Sequence, residues 1–208
     1  MKYSIDHLSL VILAVVLSSC AVHEAPTHFY SLNATIPTEQ HQVQQTFKVG
    51  VGPLNFPKFL QRPQVITRKN KNQINVADFH QWGGRLDEEF LRILSDDLVS
   101  LLASSEIYSY PWESRLRPDY QVRINVSRFD GKLGDSVNLR ARWQLLSRNR
   151  HTAPISVQSN IIEPVNGSKY TDYVAAQSRA LGKLAREIAE KIKASVMGRN
   201  TTEQPARP

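Results

Sequence analysis

The chain has 208 residues, of which 41% are hydrophobic, with a single cysteine and a formal net charge of +7. That length fits one domain or a compact pair, and one thiol excludes an internal disulfide or a zinc site built from several thiolates. The charge brings nucleic acid, anionic lipid and acidic protein into consideration as partners.

From the N-terminus, "LSLVILAVVLSSC" is an apolar run ending at Cys20. Leu8 to Leu17 is too short to span a bilayer, which takes about twenty apolar residues. Behind Met1 and Lys2, and followed by small residues, it has the layout of a signal peptide over residues 1–19. Leu17-Ser18-Ser19-Cys20 resembles the bacterial lipobox, in which the thiol receives a diacylglycerol and the chain is cut just before the cysteine. Cys20 is then a lipidation site and an anchor, leaving no thiol for catalysis. Ala21 follows, where an aspartate would keep a bacterial lipoprotein in the inner membrane, so the resemblance implies the outer membrane, with the body of the protein facing the periplasm. Export argues against a nucleic-acid partner, and loss of Lys2 and Asp6 with the signal leaves the charge at +7.

Residues 20–27 form the acylated N-terminus and tether, and Ala21 to Thr27 reach at most about 24 Å when extended. The domain proper is expected over 28–198. Phe29 to Leu32 reads as a short strand and Phe47 to Gly52 as a central strand ended by Pro53. Gln64 to Arg68 and Gln73 to Asp78 flank a polar turn, as in a hairpin. From Leu86 the apolar residues recur at three and four, with Asp87, Glu88 and Glu89 in the first turn where the helix dipole favours acids. Tyr120 to Ser127 and Val137 to Leu145 alternate apolar and polar residues around "GKLG", which predicts two half-buried strands joined by a turn. A further strand is expected over Ile155 to Ile162. Tyr173 to Val196 carries a long amphipathic helix capped by Gly198, and residues 199–208 read as a loose tail. The fold class is α/β: a single domain with a mixed, largely antiparallel sheet and two amphipathic helices packed on one face.

Residues 115–150 hold nine basic side chains against Asp119, Asp130 and Asp135. Closing the hairpin with Asp130 opposite Asp135 sets Arg123 across from Arg142 and Asn125 across from Arg140, on the outward side. Like charges directly opposed destabilise an isolated sheet. The Arg123, Arg140 and Arg142 face is therefore expected to meet an anionic surface, the alternative being a solvated or internally paired face. Leu60, Arg62 and Pro63 lie in a stiff proline-bracketed loop that either shapes a turn or presents a preordered contact. Trp82 and Trp143 read first as core residues.

Catalytic signatures are missing from the sequence. Gly50-x-Gly52 lacks the third glycine of a dinucleotide fingerprint, and neither G-x-S-x-G nor H-E-x-x-H occurs. The histidines are scattered. On these residues the enzyme reading is weak.

The segments "HFYSL", "VGVGPLNFPKFLQRPQVITR", "VADFHQWGGRLDEEFLRILSDDLVSLL", "RFDG" and "LRARWQL", in this order behind the lipobox, resemble the PqiC-type family of ABC-transport auxiliary lipoproteins. Gly83-Gly84 after Trp82 departs from the family pattern of a small residue, an acid and a proline. The resemblance implies an outer-membrane lipoprotein that serves an MCE-domain protein, the latter forming a periplasmic conduit for lipids. It implies a docking or accessory role, as a ring of identical subunits, with no cofactor, no metal and no bond chemistry. Leu60, Arg62, Pro63, Trp82, Arg123, Arg140 and Arg142 are the candidate partner contacts. A periplasmic hydrolase and a structural envelope lipoprotein are the competing readings. A hydrolase requires a cleft with a polar pair of matched geometry, whereas a docking module requires a broad charged or apolar patch.

Overall fold

A computed structural model describes residues 25–37, 46–102, 106–113, 115–149 and 152–202. Within these residues, eight strands and two α-helices follow in the order β1 (His28–Tyr30), β2 (Lys48–Asn55), β3 (Gln64–Arg68), β4 (Ile74–Trp82), α1 (Leu86–Leu102), β5 (Glu106–Ser109), β6 (Tyr120–Gly131), β7 (Ser136–Ser147), β8 (Ile155–Pro164) and α2 (Tyr170–Thr202). A 3-10 turn, Lys58–Leu60, sits between β2 and β3. The strands make a three-stranded sheet in the order β1-β4-β3 and a five-stranded sheet in the order β5-β2-β6-β7-β8. β2 runs parallel to both β5 and β6, and β6, β7 and β8 form an antiparallel meander. The expected α/β class, mixed sheet and two helices are what the chain forms.

Alternation decides which way the five-stranded sheet faces. Val122, Ile124 and Val126 of β6, and Leu139, Ala141, Trp143 and Leu145 of β7, are buried under the helices, while the residues between them point outward. α1 lies over β2 and β5, α2 over β6, β7 and β8, and the two helices pack on each other. Leu86, Phe90, Leu94 and Leu98 of α1 meet the sheet as one apolar stripe, and α2 supplies Leu181, Leu184, Ile188 and Ile192. Trp143 fills the centre, its indole N–H donating to Ser159 Oγ at 3.0 Å, and that hydroxyl donates in turn to Glu187.

Most strand ends differ from the expected ones by a few residues, and three differences have a clear local reason. β2 continues through Pro53 to Asn55 because its register with β6 shifts between Val51 and Leu54, so the missing proline N–H falls in the irregularity. α2 runs through Gly198 to Thr202, so Gly198 is helical and caps nothing. β5 was not expected at all, since four residues at the sheet edge are too few for a periodic signal. The signal peptide, Cys20 and the last residues of the tail lie outside the described residues.

The segment before β2 is strapped across the helices by carboxylates. Leu32 N–H donates to Glu89 at 2.9 Å, and Thr35 and Ile36 N–H donate to Asp97 Oδ1 at 2.9 and 3.0 Å. Asp97 is fully buried on α1, and burial raises its pKa despite those bonds and the nearby Arg186. A carboxyl whose folded pKa is raised loses stabilising value as pH climbs from the ordinary carboxylate range through the raised value. Asp97→Ala, which strands two N–H groups, is expected to cost about 1–3 kcal/mol. Asp97→Asn keeps an acceptor oxygen, so it should cost less and should gain on the wild type as pH rises through that window. Urea unfolding at several pH values checks both expectations.

Candidate functional site

Among the described residues, the two helices pack on the inner side of the five-stranded sheet and none covers its outward side. Arg123 and Asn125 of β6, Arg140, Arg142 and Gln144 of β7, and Gln158 and Asn160 of β8 are all exposed. At the Gly50–Gly52 stretch of β2 the face is bounded by aromatic residues from another part of the chain. A Cβ on Gly50 would lie 2.7 Å from the Trp112 ring, and one on Gly52, at φ +120°, would lie 2.6 Å from Tyr110 Cβ. The paired glycines are therefore seats for Trp112 and Tyr110, which accounts for the motif without a nucleotide.

The register of the β6–β7 hairpin corrects the expected one. β6 pairs as far as Gly131 opposite Val137, and an extra residue near Ser127 shifts the ladder. Arg123 consequently faces Gln144, Asn125 faces Arg142, and Arg128 faces Arg140. Arg123 and Arg142 are thus not directly opposed, and each lies across from a neutral amide that relieves the repulsion. The opposed cations are Arg128 and Arg140, and Arg128 is itself paired with Asp130 at 2.8 Å. Among the described residues, Arg123, Arg140 and Arg142 have no acid within ion-pairing distance.

Two shallow depressions run along this face. One, of about 390 Å³, is lined by Pro53, Leu54, Arg123, Arg142 and Gln144, among others, and the next, of about 260 Å³, by Asn125, Ser127, Arg140, Arg142 and Gln158. Guanidinium forks interleaved with amides suit the bidentate recognition of carboxylate or phosphate oxygens. No histidine lines either depression, and neither holds a nucleophile set against a base.

The other candidate contacts divide. Leu60 and Trp82 are 2% and 4% exposed and belong to the core, so a partner reaches only Arg62 and Pro63, which are exposed. The aromatic of Trp82 is needed under β1, which pairs with β4 there, and the Trp82 N–H donates to Pro63 O at 2.7 Å. His28 and His80, distant in sequence, stack with ring centroids 5.4 Å apart, and Tyr170 stacks on His80 at 3.9 Å. Burial, then the neighbouring His28, lowers the His80 pKa. Among the described residues no group of three His, Cys, Asp or Glu side chains could hold a metal ion, and no helix is long and apolar enough to cross a membrane.

Residues 30–189 match the family model of the ABC-type transport auxiliary lipoprotein component. The fold is similar to the crystal structure of an uncharacterized protein, at 18% identity and a TM-score of 0.67, over 81% of this chain and 99% of that one. It is similar also to a Xanthomonas campestris protein of family DUF330, at 14% identity and a TM-score of 0.67, over 86% of this chain and 100% of that one. No curated protein matches the sequence.

Proposed function

The chain belongs to the family of ABC-type transport auxiliary lipoprotein components, and from that membership we propose that it is the outer-membrane-anchored docking subunit of an MCE-type lipid transport system. In this reading the diacylglyceryl group on Cys20 fixes the protein to the periplasmic face of the membrane. The open face of the five-stranded sheet meets the acidic rim of an MCE-domain conduit, the contact being made by Arg123, Arg140 and Arg142 with Arg62 and Pro63 outside it. Identical subunits arranged as a ring would repeat that face around the end of the conduit.

The observation that carries the reading is three exposed arginines on one sheet face with no acidic partner among the described residues. Unpaired cations of this kind cost little in water and gain when an anionic surface covers them, which favours association and fixes its orientation more than it adds raw affinity. The shallow depressions of that face support a docking surface over a substrate cleft. Affinity purification of the acylated full-length protein from detergent-solubilised envelopes tests the proposal. The expected co-purifying protein carries MCE domains, and recovery of transport components lacking any MCE domain would contradict the partnership.

A further inference from the structure

A third basic depression lies at the end of the molecule where the β6–β7 and β3–β4 turns come together. It has a volume of about 260 Å³, and its walls include Arg68, Lys71, Arg128, Lys132, Ser136 and Asn138. What separates it from an ordinary solvated cluster is its floor. Asp130, fully buried, accepts from Arg68 Nε and Arg128 Nε at 2.8 Å each, and its second oxygen lies 2.8 Å from an Arg68 terminal nitrogen. Arg68 is tied further by a bond to Lys71 O at 3.1 Å. One carboxylate thus orients two guanidinium groups while neutralising only one of them. Arg128 uses its Nε in that bond, and among the described residues its two terminal nitrogens have no ion-pair partner. Lys71 is exposed, and among the described residues the ion-pair partner of Lys132 is Asp135, at 4.0 Å, which also lines the depression. Rigid, partly dehydrated arginine forks with lysines at the rim match a phosphoryl group, whose oxygens accept several charge-assisted bonds at once.

The position of the depression narrows the source of that phosphate. β1 starts at His28, eight residues after Cys20, and Tyr30 packs against Tyr170 at the start of α2. One turn further on, the Tyr173 hydroxyl accepts from Gly131 N–H at 2.8 Å and donates to Ile66 O at 3.0 Å. The first turn of α2 thus links the start of the domain, which pairs with β4 at His80–Trp82, to the hairpin end that walls the depression. Phe29 on β1 and Phe79 on β4, 67% and 47% exposed, lie near the start of the domain, and aromatic rings favour the headgroup zone of a bilayer.

We propose that this depression is a phosphate-binding site that takes the headgroup of an anionic phospholipid in the membrane carrying the anchor. The site adjoins the sheet face assigned to the conduit at the Arg128–Arg140 pair but uses none of the arginines assigned to that contact, and its test contains no conduit protein. The acylated full-length protein in neutral detergent micelles is titrated calorimetrically with short-chain phosphatidylglycerol, with short-chain phosphatidylcholine and with inorganic phosphate. The wild type is expected to bind phosphatidylglycerol more tightly than phosphatidylcholine, with inorganic phosphate competing weakly. The double variant Lys71→Gln with Lys132→Gln, whose side chains are at the rim and leave the Asp130 pairs intact, should lose at least about tenfold in phosphatidylglycerol affinity. Arg92→Gln on α1, remote from the depression, should lose none. Equal affinity of the double variant and the wild type, or no binding by the wild type, overturns the site. Inorganic phosphate binding more tightly than the lipid would overturn the headgroup assignment.

Discussion

Leu184→Ala is expected to lower folding stability by about 2–5 kcal/mol, and Leu181→Ala and Ile188→Ala by similar amounts. All three side chains are fully buried on the face of α2 that covers β6, β7 and β8. Each truncation removes apolar contact and leaves a cavity between helix and sheet that the rigid meander closes only in part. Ala180, Ala185 and Ala189 interleave with these residues and are also buried, so small and large side chains alternate along the packed face and little slack remains. Chemical denaturation checks the values. Losses near zero at all three positions would mean that the helix does not pack on the sheet in solution.

Cys20→Ala should move the protein from the membrane fraction to the soluble fraction. Acyl chains contribute about 0.8 kcal/mol per buried methylene, so a multiply acylated cysteine holds far more firmly than any surface contact of the domain. The apolar run Leu8–Leu17 is too short to substitute for it, and no helix among the described residues can span a bilayer. Flotation with lipid vesicles is the measurement, and an alanine variant that floats as the wild type does would remove the anchor from the account. Because the phosphate site would contribute only weak attraction, its loss alone should leave the protein membrane-bound.

The sequence was informative where a single periodicity ran long. The apolar residues of Leu86–Leu102 at three and four, and the alternation of Tyr120–Val126 and Val137–Leu145, specify which side of each element is buried, and the structure buries those sides. Register was not legible, because pairing begins at Gly131 opposite Val137 instead of Asp130 opposite Asp135, and an extra residue near Ser127 then shifts it once more. The sites built by distant residues were hidden for the same reason. Arg68 and Asp130 are joined only through the packing of β3 against the end of β6, and no local pattern announces that contact. Asp97 did leave a signal: an acid in the same row as Ile93, Leu94 and Leu98 of α1 must find buried donors, and it finds them in the strap at Thr35 and Ile36. Leu60 shows the limit of a local reading, since a proline-rich loop with apolar residues can present them outward or fold them in, and here the core takes it, while Trp82 at the end of β4 is buried as its first reading has it.

The central claim is that the open sheet face docks on an anionic partner through its arginines. The most direct measurement is the affinity of the co-purified conduit protein for wild type and for the Arg123→Gln, Arg142→Gln double variant across a salt series. Both residues are exposed and lie across from amides, so the variant should fold with stability close to that of the wild type. The account predicts weaker binding by the variant at low salt and a shallower dependence on salt, with the two proteins converging as ionic strength rises. Unchanged affinity together with an unchanged salt dependence would contradict it.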